Sequence, residues 1–159
     1  KRITDLSNNN EIIDLMSILE IEPKSSATPS YDKIVFAVDA DPDGSHISSL
    51  LINLFFKWFP HIVESGKLYI LITPIVSVDS SSKRVYYYTL DEYKKAQDDG
   101  KINGKVRYLK GLGSLDKKDW DWVMSQKRMF KIYKDRSSTR FMEIAFGSSS
   151  DLRKKWLQN

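Results

Sequence analysis

The chain has 159 residues, with 25 Lys+Arg against 21 Asp+Glu for a net charge of +4, and is 41% apolar and 12% aromatic. That is enough core for one compact domain and excludes a globally disordered chain. The absence of cysteine excludes a disulfide scaffold, a Cys-ligated zinc or iron–sulfur site and a thiol nucleophile, and no apolar run is long enough to span a bilayer.

Ile12, Leu15, Met16 and Leu19 fall at i, i+3, i+4, i+7 and predict a helix, capped by Ser7 or one of Asn8 to Asn10. Pro23 to Ser30, with two prolines among small polar residues, predicts a loop. Lys33 to Val38 is a short apolar run rich in β-branched residues, which predicts a strand buried on both faces, as in a parallel sheet. Asp39-Ala40-Asp41-Pro42-Asp43-Gly44 ends it. Ile47, Leu50, Leu51, Leu54, Phe55, Trp58 and Phe59 then predict a helix with a wide apolar face, its end bracketed by Pro60 and Gly66. Leu68 to Val78 reads as a second strand region, with Pro74 marking a bend or an edge. Strand, acidic turn, helix and strand make a βαβ unit with a right-handed crossover.

Ser80 to Ser82 predict a hairpin turn into Val85 to Tyr88, where Tyr86, Tyr87 and Tyr88 read as alternating strand residues rather than nucleophiles. Thr89 and Glu92 match a capping box for a short helix. Val106 to Leu109 is a further strand, closed by Lys110-Gly111-Leu112-Gly113-Ser114. Ser114 with Asp116 starts a helix through Val123; two more follow, from Ser138 to Phe146 and from Asp151 through Trp156. The basic residues Lys127, Arg128, Lys131, Lys134, Arg136 and Arg140 form either a phosphate-contacting surface or an ordinary solvated face. Trp58, Trp120, Trp122 and Trp156 read as core or interface anchors. The expected fold class is α/β: a parallel sheet flanked by helices, with a helical C-terminal part. The expected organisation is a helix and loop over 1–30, an α/β core over 31–115, and a helical part over 116–159.

The chemistry concentrates in the acidic turn. If the backbone stays extended past the strand, Asp39, Asp41 and Asp43 point to one side. Three converging carboxylates need a hard cation, and oxygen ligands select Mg²⁺ or Mn²⁺. The edge where such strands end is also where α/β folds place their sites, and the following helix N-terminus favours a phosphate. An EF-hand is excluded because its twelfth loop position needs a bidentate Glu and is Leu50 here. A haloacid-dehalogenase-type phosphatase stays open, with Asp39 as nucleophile, Asp41 as general acid, and Lys110 and Asp98-Asp99 as loose partners. A non-enzymatic binding module with a degenerate acidic turn is a third reading.

The run Asp39-Ala40-Asp41-Pro42-Asp43-Gly44-Ser45-His46-Ile47 resembles the TOPRIM region of type IIA DNA topoisomerases. The resemblance continues through Leu50 to Asn53, Ile72-Thr73-Pro74-Ile75-Val76, Tyr108-Leu109-Lys110-Gly111-Leu112-Gly113, Ile144-Ala145-Phe146 and Arg153 to Leu157, in the family's order. It is closer to the eukaryotic and T-even phage members than to gyrase. The short chain looks like a T-even-type small subunit, where this region is a separate polypeptide. The resemblance implies a Mg²⁺-dependent DNA cleavage–religation centre. Asp39 and Asp41 match metal ligands, Asp43 a neighbouring carboxylate, Lys110 a lysine near the DNA, and His46 a supporting position; Lys127 and Arg128 join the expected DNA contacts. The family's first strand, with its catalytic Glu, has no counterpart in the 159 residues, nor do the nucleophilic tyrosine's domain and the ATPase. The expected partners are therefore double-stranded DNA, a large subunit carrying the ATPase and the Glu motif, and a subunit carrying the tyrosine. The chain alone is expected to be inactive, and to work in the host cytoplasm with no membrane contact.

Overall fold

The structure, a computed structural model, describes residues 6–158. In chain order its elements are α1 (Asn10–Leu19), β1 (Ile34–Phe36), α2 (Pro42–Trp58), α3 (Pro60–Glu64), β2 (Leu68–Leu71), β3 (Val76–Asp79), β4 (Arg84–Tyr87), α4 (Leu90–Asp98), β5 (Lys105–Tyr108), a 3-10 turn (Leu112–Ser114), α5 (Lys117–Gln126), β6 (Met129–Lys131), α6 (Ser138–Phe146) and α7 (Ser150–Leu157). Among the described residues no helix is long and apolar enough to cross a membrane. The residues divide into two compact units, one built from the chain up to Ile34, Leu50–Leu68 and the chain from Ile132 on, the other from Val35–Ser49 and Tyr69–Lys131.

The first unit is helical. Asn9 caps α1 by accepting the Ile12 N–H at 2.9 Å, as the run of Asn residues predicted, and Leu19 is the one α1 residue fully buried. The unit's core is Phe55, Phe59, Ile62, Val63 and Leu68, each at most 1% exposed, with the Phe55 and Phe59 rings tilted at 5.4 Å. The wide apolar face predicted for α2 is covered only along this second half. Nearer its start, Ile47 and Leu50 are half exposed.

The second unit holds two three-stranded sheets, ordered β1-β2-β6 and β4-β3-β5. The mixed α/β class agrees with expectation, but four details differ. β1 is not buried on both faces: Ile34 and Phe36 are inside while Val35 faces out, so it alternates like a strand covered on one side. The single strand region predicted over Leu68 to Val78 is two strands in different sheets. Pro74, which has no N–H for a ladder, lies in the break between them. β6 was not foreseen; its three residues carry no readable period, yet it pairs antiparallel with β2 through Tyr69↔Lys131 and Leu71↔Met129. The parallel sheet that was expected also gives way: β6 runs antiparallel to β2, and the second sheet is wholly antiparallel, with both β4 and β5 registered against β3. The short connection between β3 and β4 joins them as a hairpin rather than a crossover. The capping box at Thr89 and Glu92 starts α4 as read from the sequence.

Strand alternation gives the second sheet two unlike faces. Val76 and Val78 pack with Tyr93, Tyr87, Ile102 and Val106 on one. On the other, Ser77 and Asp79 stand in register with Tyr86 and Arg84 on β4 and with Arg107 and Lys105 on β5. The start of α5 supplies this face with acid. Arg84 Nη1 donates to Asp116 (2.8 Å) and Asp119 (2.7 Å), while its Nε and Nη2 hold Asp79. Arg107 reaches Asp116 (3.1 Å) and Asp119 (3.0 Å), and Tyr86 Oη donates to Asp119 at 3.0 Å. Asp119 is fully buried, so its charge is tolerable only because these donors surround it. Desolvation, and then the Asp119 carboxylate, push the Tyr86 hydroxyl up to about 12.

The same cluster makes stability depend on acid. The Arg84 guanidinium holds the Asp79 carboxyl below its ordinary range, and it does the same for Asp116, assisted by the Asp119 N–H. Carboxyls depressed in the folded state bind protons more readily once unfolded. Their contribution is therefore complete above the unfolded value of about 4 and is lost as the pH falls below it. Thermal unfolding followed by circular dichroism should give a flat Tm toward neutrality and a steep decline below about pH 4. Arg84→Met should remove much of that decline; an equally steep fall in the variant contradicts the assignment.

Candidate metal and nucleic-acid site

The acidic turn leaves β1 and enters α2 without staying extended. Asp41 is the cap: its Oδ1 accepts the Gly44 N–H at 2.7 Å and its carbonyl accepts the Ser45 N–H at 3.0 Å. Pro42 takes the first helical position, where its missing N–H costs nothing. The helix thus begins ahead of Asp43. This corrects the expectation that Asp39, Asp41 and Asp43 fan out along one extended segment, because the Asp-Pro start wins over extension. Asp43 sits exposed in the first turn of α2, favoured there by the helix dipole. Among the described residues no three His, Asp or Glu side chains are grouped to hold a metal ion.

Gly44 is required by close approach. A Cβ there would stand 2.0 Å from the Asp39 carbonyl oxygen, so any other residue pushes the helix start off the strand end. The Asp39 carboxylate is held from a distant segment: the Leu112 N–H donates to its Oδ1 at 2.7 Å across 73 positions of chain. Gly111 packs directly on it, since a Cβ would lie 2.9 Å from Asp39 Oδ2. A Cβ on Gly113 meets nothing within 4 Å. Of the two glycines in Lys110-Gly111-Leu112-Gly113, the first is therefore dictated by the carboxylate. Gly111→Ala should open the Leu112–Asp39 bond and speed Leu112 amide exchange, whereas Gly113→Ala should leave it protected. Hydrogen exchange by NMR decides this, and equal effects of the two substitutions count against it.

The structure thus joins Asp39 to the Lys110–Ser114 loop, while the Asp41 carboxylate is turned to the start of α2. Lys110 is exposed at the head of that loop and His46 is exposed on α2; among the described residues neither side chain has a hydrogen-bond partner. Lys127 closes α5 in a left-handed conformation (φ 49°). The Arg128 guanidinium lies over the Tyr88 ring at 4.0 Å, a cation–π contact that the sequence did not disclose. Asp99, half of the acidic pair the phosphatase reading needs, is paired to Lys101 at 2.8 Å.

The frame is mixed α/β, with the Asp39 carboxylate held by a glycine-bearing loop, and residues 71–159 match the C-terminal associated domain of TOPRIM. The chain belongs to the TOPRIM-bearing type II DNA topoisomerases. It is 31% identical over 134 residues to the DNA topoisomerase small subunit of Enterobacteria phage T4, covering 83% of this chain and 82% of that one. It is 31% identical over 164 residues to DNA topoisomerase 2 of Bombyx mori, covering 95% of this chain but 11% of that protein. Its fold superposes on the DNA-binding, cleavage and re-ligation domain of Plasmodium falciparum topoisomerase II with a TM-score of 0.83 at 26% identity, covering all of this chain and 23% of the other.

Proposed function

We propose that this chain supplies Asp39 and Asp41 to a Mg²⁺ site of a type II DNA topoisomerase, with ATP turnover, the catalytic Glu and the attacking tyrosine contributed by polypeptide outside these 159 residues. The observation that carries the reading is the Leu112–Asp39 hydrogen bond, 2.7 Å, which brings the family's two separate motifs to one place. The donor set fits a hard divalent cation: each carboxylate commits its Oδ1 to a backbone N–H, and oxygen donors are what Mg²⁺ selects. Two carboxylates do not complete a coordination shell, which fits a third arriving from a partner. A cation bound there would supply Lewis-acid stabilisation of charge on the scissile phosphate and the leaving 3′ oxygen. Lys110, exposed in the loop that holds Asp39, presents a positive charge to the same phosphate backbone. Asp43, His46, Lys127 and Arg128 are assigned supporting roles toward the DNA, the last with its guanidinium held over the Tyr88 ring.

The test is reconstitution on supercoiled DNA. The chain alone with Mg²⁺ should relax nothing. Joined to partner polypeptides carrying the Glu motif, the tyrosine and the ATPase, it should relax DNA with ATP, and chelation of the metal should stop it. Robust relaxation by the isolated chain, or relaxation that survives chelation, contradicts the proposal.

A further inference from the structure

The ionic cluster and the candidate metal site share one loop. β5 carries Arg107 into Lys110–Ser114, and Asp116 and Asp119 follow on the far side. Arg107 Nη2 donates both to the Ser114 carbonyl (3.2 Å) and to buried Asp119 (3.0 Å), and Nη1 reaches Asp116. The Asp116 N–H also donates to Asp119 at 2.9 Å. Both ends of the loop are therefore tied to the buried carboxylate, while its middle presents the Leu112 N–H to Asp39. We infer that Arg107, fixed by Asp119, is a positioning residue: it sets the loop so that Leu112 and Gly111 seat the Asp39 carboxylate. The inference rests on the proposed role of Asp39 but concerns geometry within this chain alone.

Arginine is the residue this task needs. Its planar fork bridges a carbonyl and a carboxylate at once, whereas a lysine supplies the charge from a single nitrogen. Charge neutralisation of Asp119 and placement of the loop can therefore be separated by substitution. A merely structural arginine is replaceable by lysine; a positioning one is not.

The experiment reads the Leu112 amide in the ¹⁵N-labelled full chain. In the parent background, Asp39→Ala removes the acceptor and should displace the Leu112 amide resonance. In Arg107→Met and in Arg107→Lys backgrounds, the same Asp39→Ala change should no longer displace it, although Arg107→Lys keeps the parent's melting transition. Persistence of the displacement in the folded Arg107→Lys chain overturns the inference, and that variant decides the matter if Arg107→Met fails to fold. The cation reading is tested apart from this, by Asp39→Asn in the assembled enzyme. Normal cleavage there would end the metal role while a lost Leu112 response would still establish the positioning.

Discussion

Asp39→Asn in the assembled enzyme should abolish DNA cleavage, by at least about a thousandfold or ~4 kcal/mol of barrier, the scale of stabilisation a bound divalent cation provides. Asparagine keeps an oxygen for the Leu112 N–H that Asp39 now accepts, so folding and the loop contact should survive while the negative charge is lost. Asp41→Asn should behave alike, since asparagine caps helices as well as aspartate does. Asp41→Ala mixes two effects, because removing the cap costs ~1 kcal/mol by itself. Asp43, exposed in the first turn of α2 and bonded to neither motif, should tolerate Asn with much smaller loss. Cleavage assays on the three Asn variants separate these cases. Unchanged cleavage in both Asp39→Asn and Asp41→Asn removes the site assignment.

Asp119→Ala should be the most damaging single change to the fold, at about 3–5 kcal/mol, the range for breaking a buried ion pair from one side. Asp119 accepts from Arg84, Arg107, Tyr86 and the Asp116 N–H. Its loss strands donors that water cannot readily reach. Arg84 keeps Asp79 and Asp116, and Arg107 keeps Asp116, which places the loss within that range rather than beyond it. The Tyr86–Trp122 stack, with centroids 3.9 Å apart, lies beside the cluster and should report its loosening in near-ultraviolet circular dichroism. Urea unfolding supplies the magnitude; a loss under about 1 kcal/mol would mean that the cluster contributes little net stability.

Much of the fold was legible in the sequence because local chemistry decided it. The Asn9 cap, the Thr89–Glu92 capping box, the Asp116 start of α5 and the Ser80–Ser82 hairpin turn all lie where short-range rules put them. What was not legible depended on distant pairing. Leu68 to Val78 reads as one apolar stretch, and only the neighbours of each half assign them to different sheets. β6 is too short to show a period, and its place depends on β2. In the site, the aspartates and the Lys-Gly-Leu-Gly loop were both visible, but not their contact across 73 positions. Of the loop's residues only Gly111 carries a trace of it, since its missing Cβ makes room for the Asp39 carboxylate. The Asp41-Pro42 pair is visible too, and it dictates a helix start rather than an extended turn. Asp119 drew no notice, because a buried carboxylate looks in sequence like any surface one until Arg84 and Arg107 are brought to it.

The most direct measurement replaces Mg²⁺ with Fe²⁺ in the assembled enzyme on DNA and maps where hydroxyl radicals cut this chain. Cuts confined to the neighbourhoods of Asp39–Asp41 and Gly111–Leu112, and abolished by Asp39→Asn, are the predicted result. Cuts elsewhere, or cuts that persist in that variant, would contradict the placement of the cation on these carboxylates.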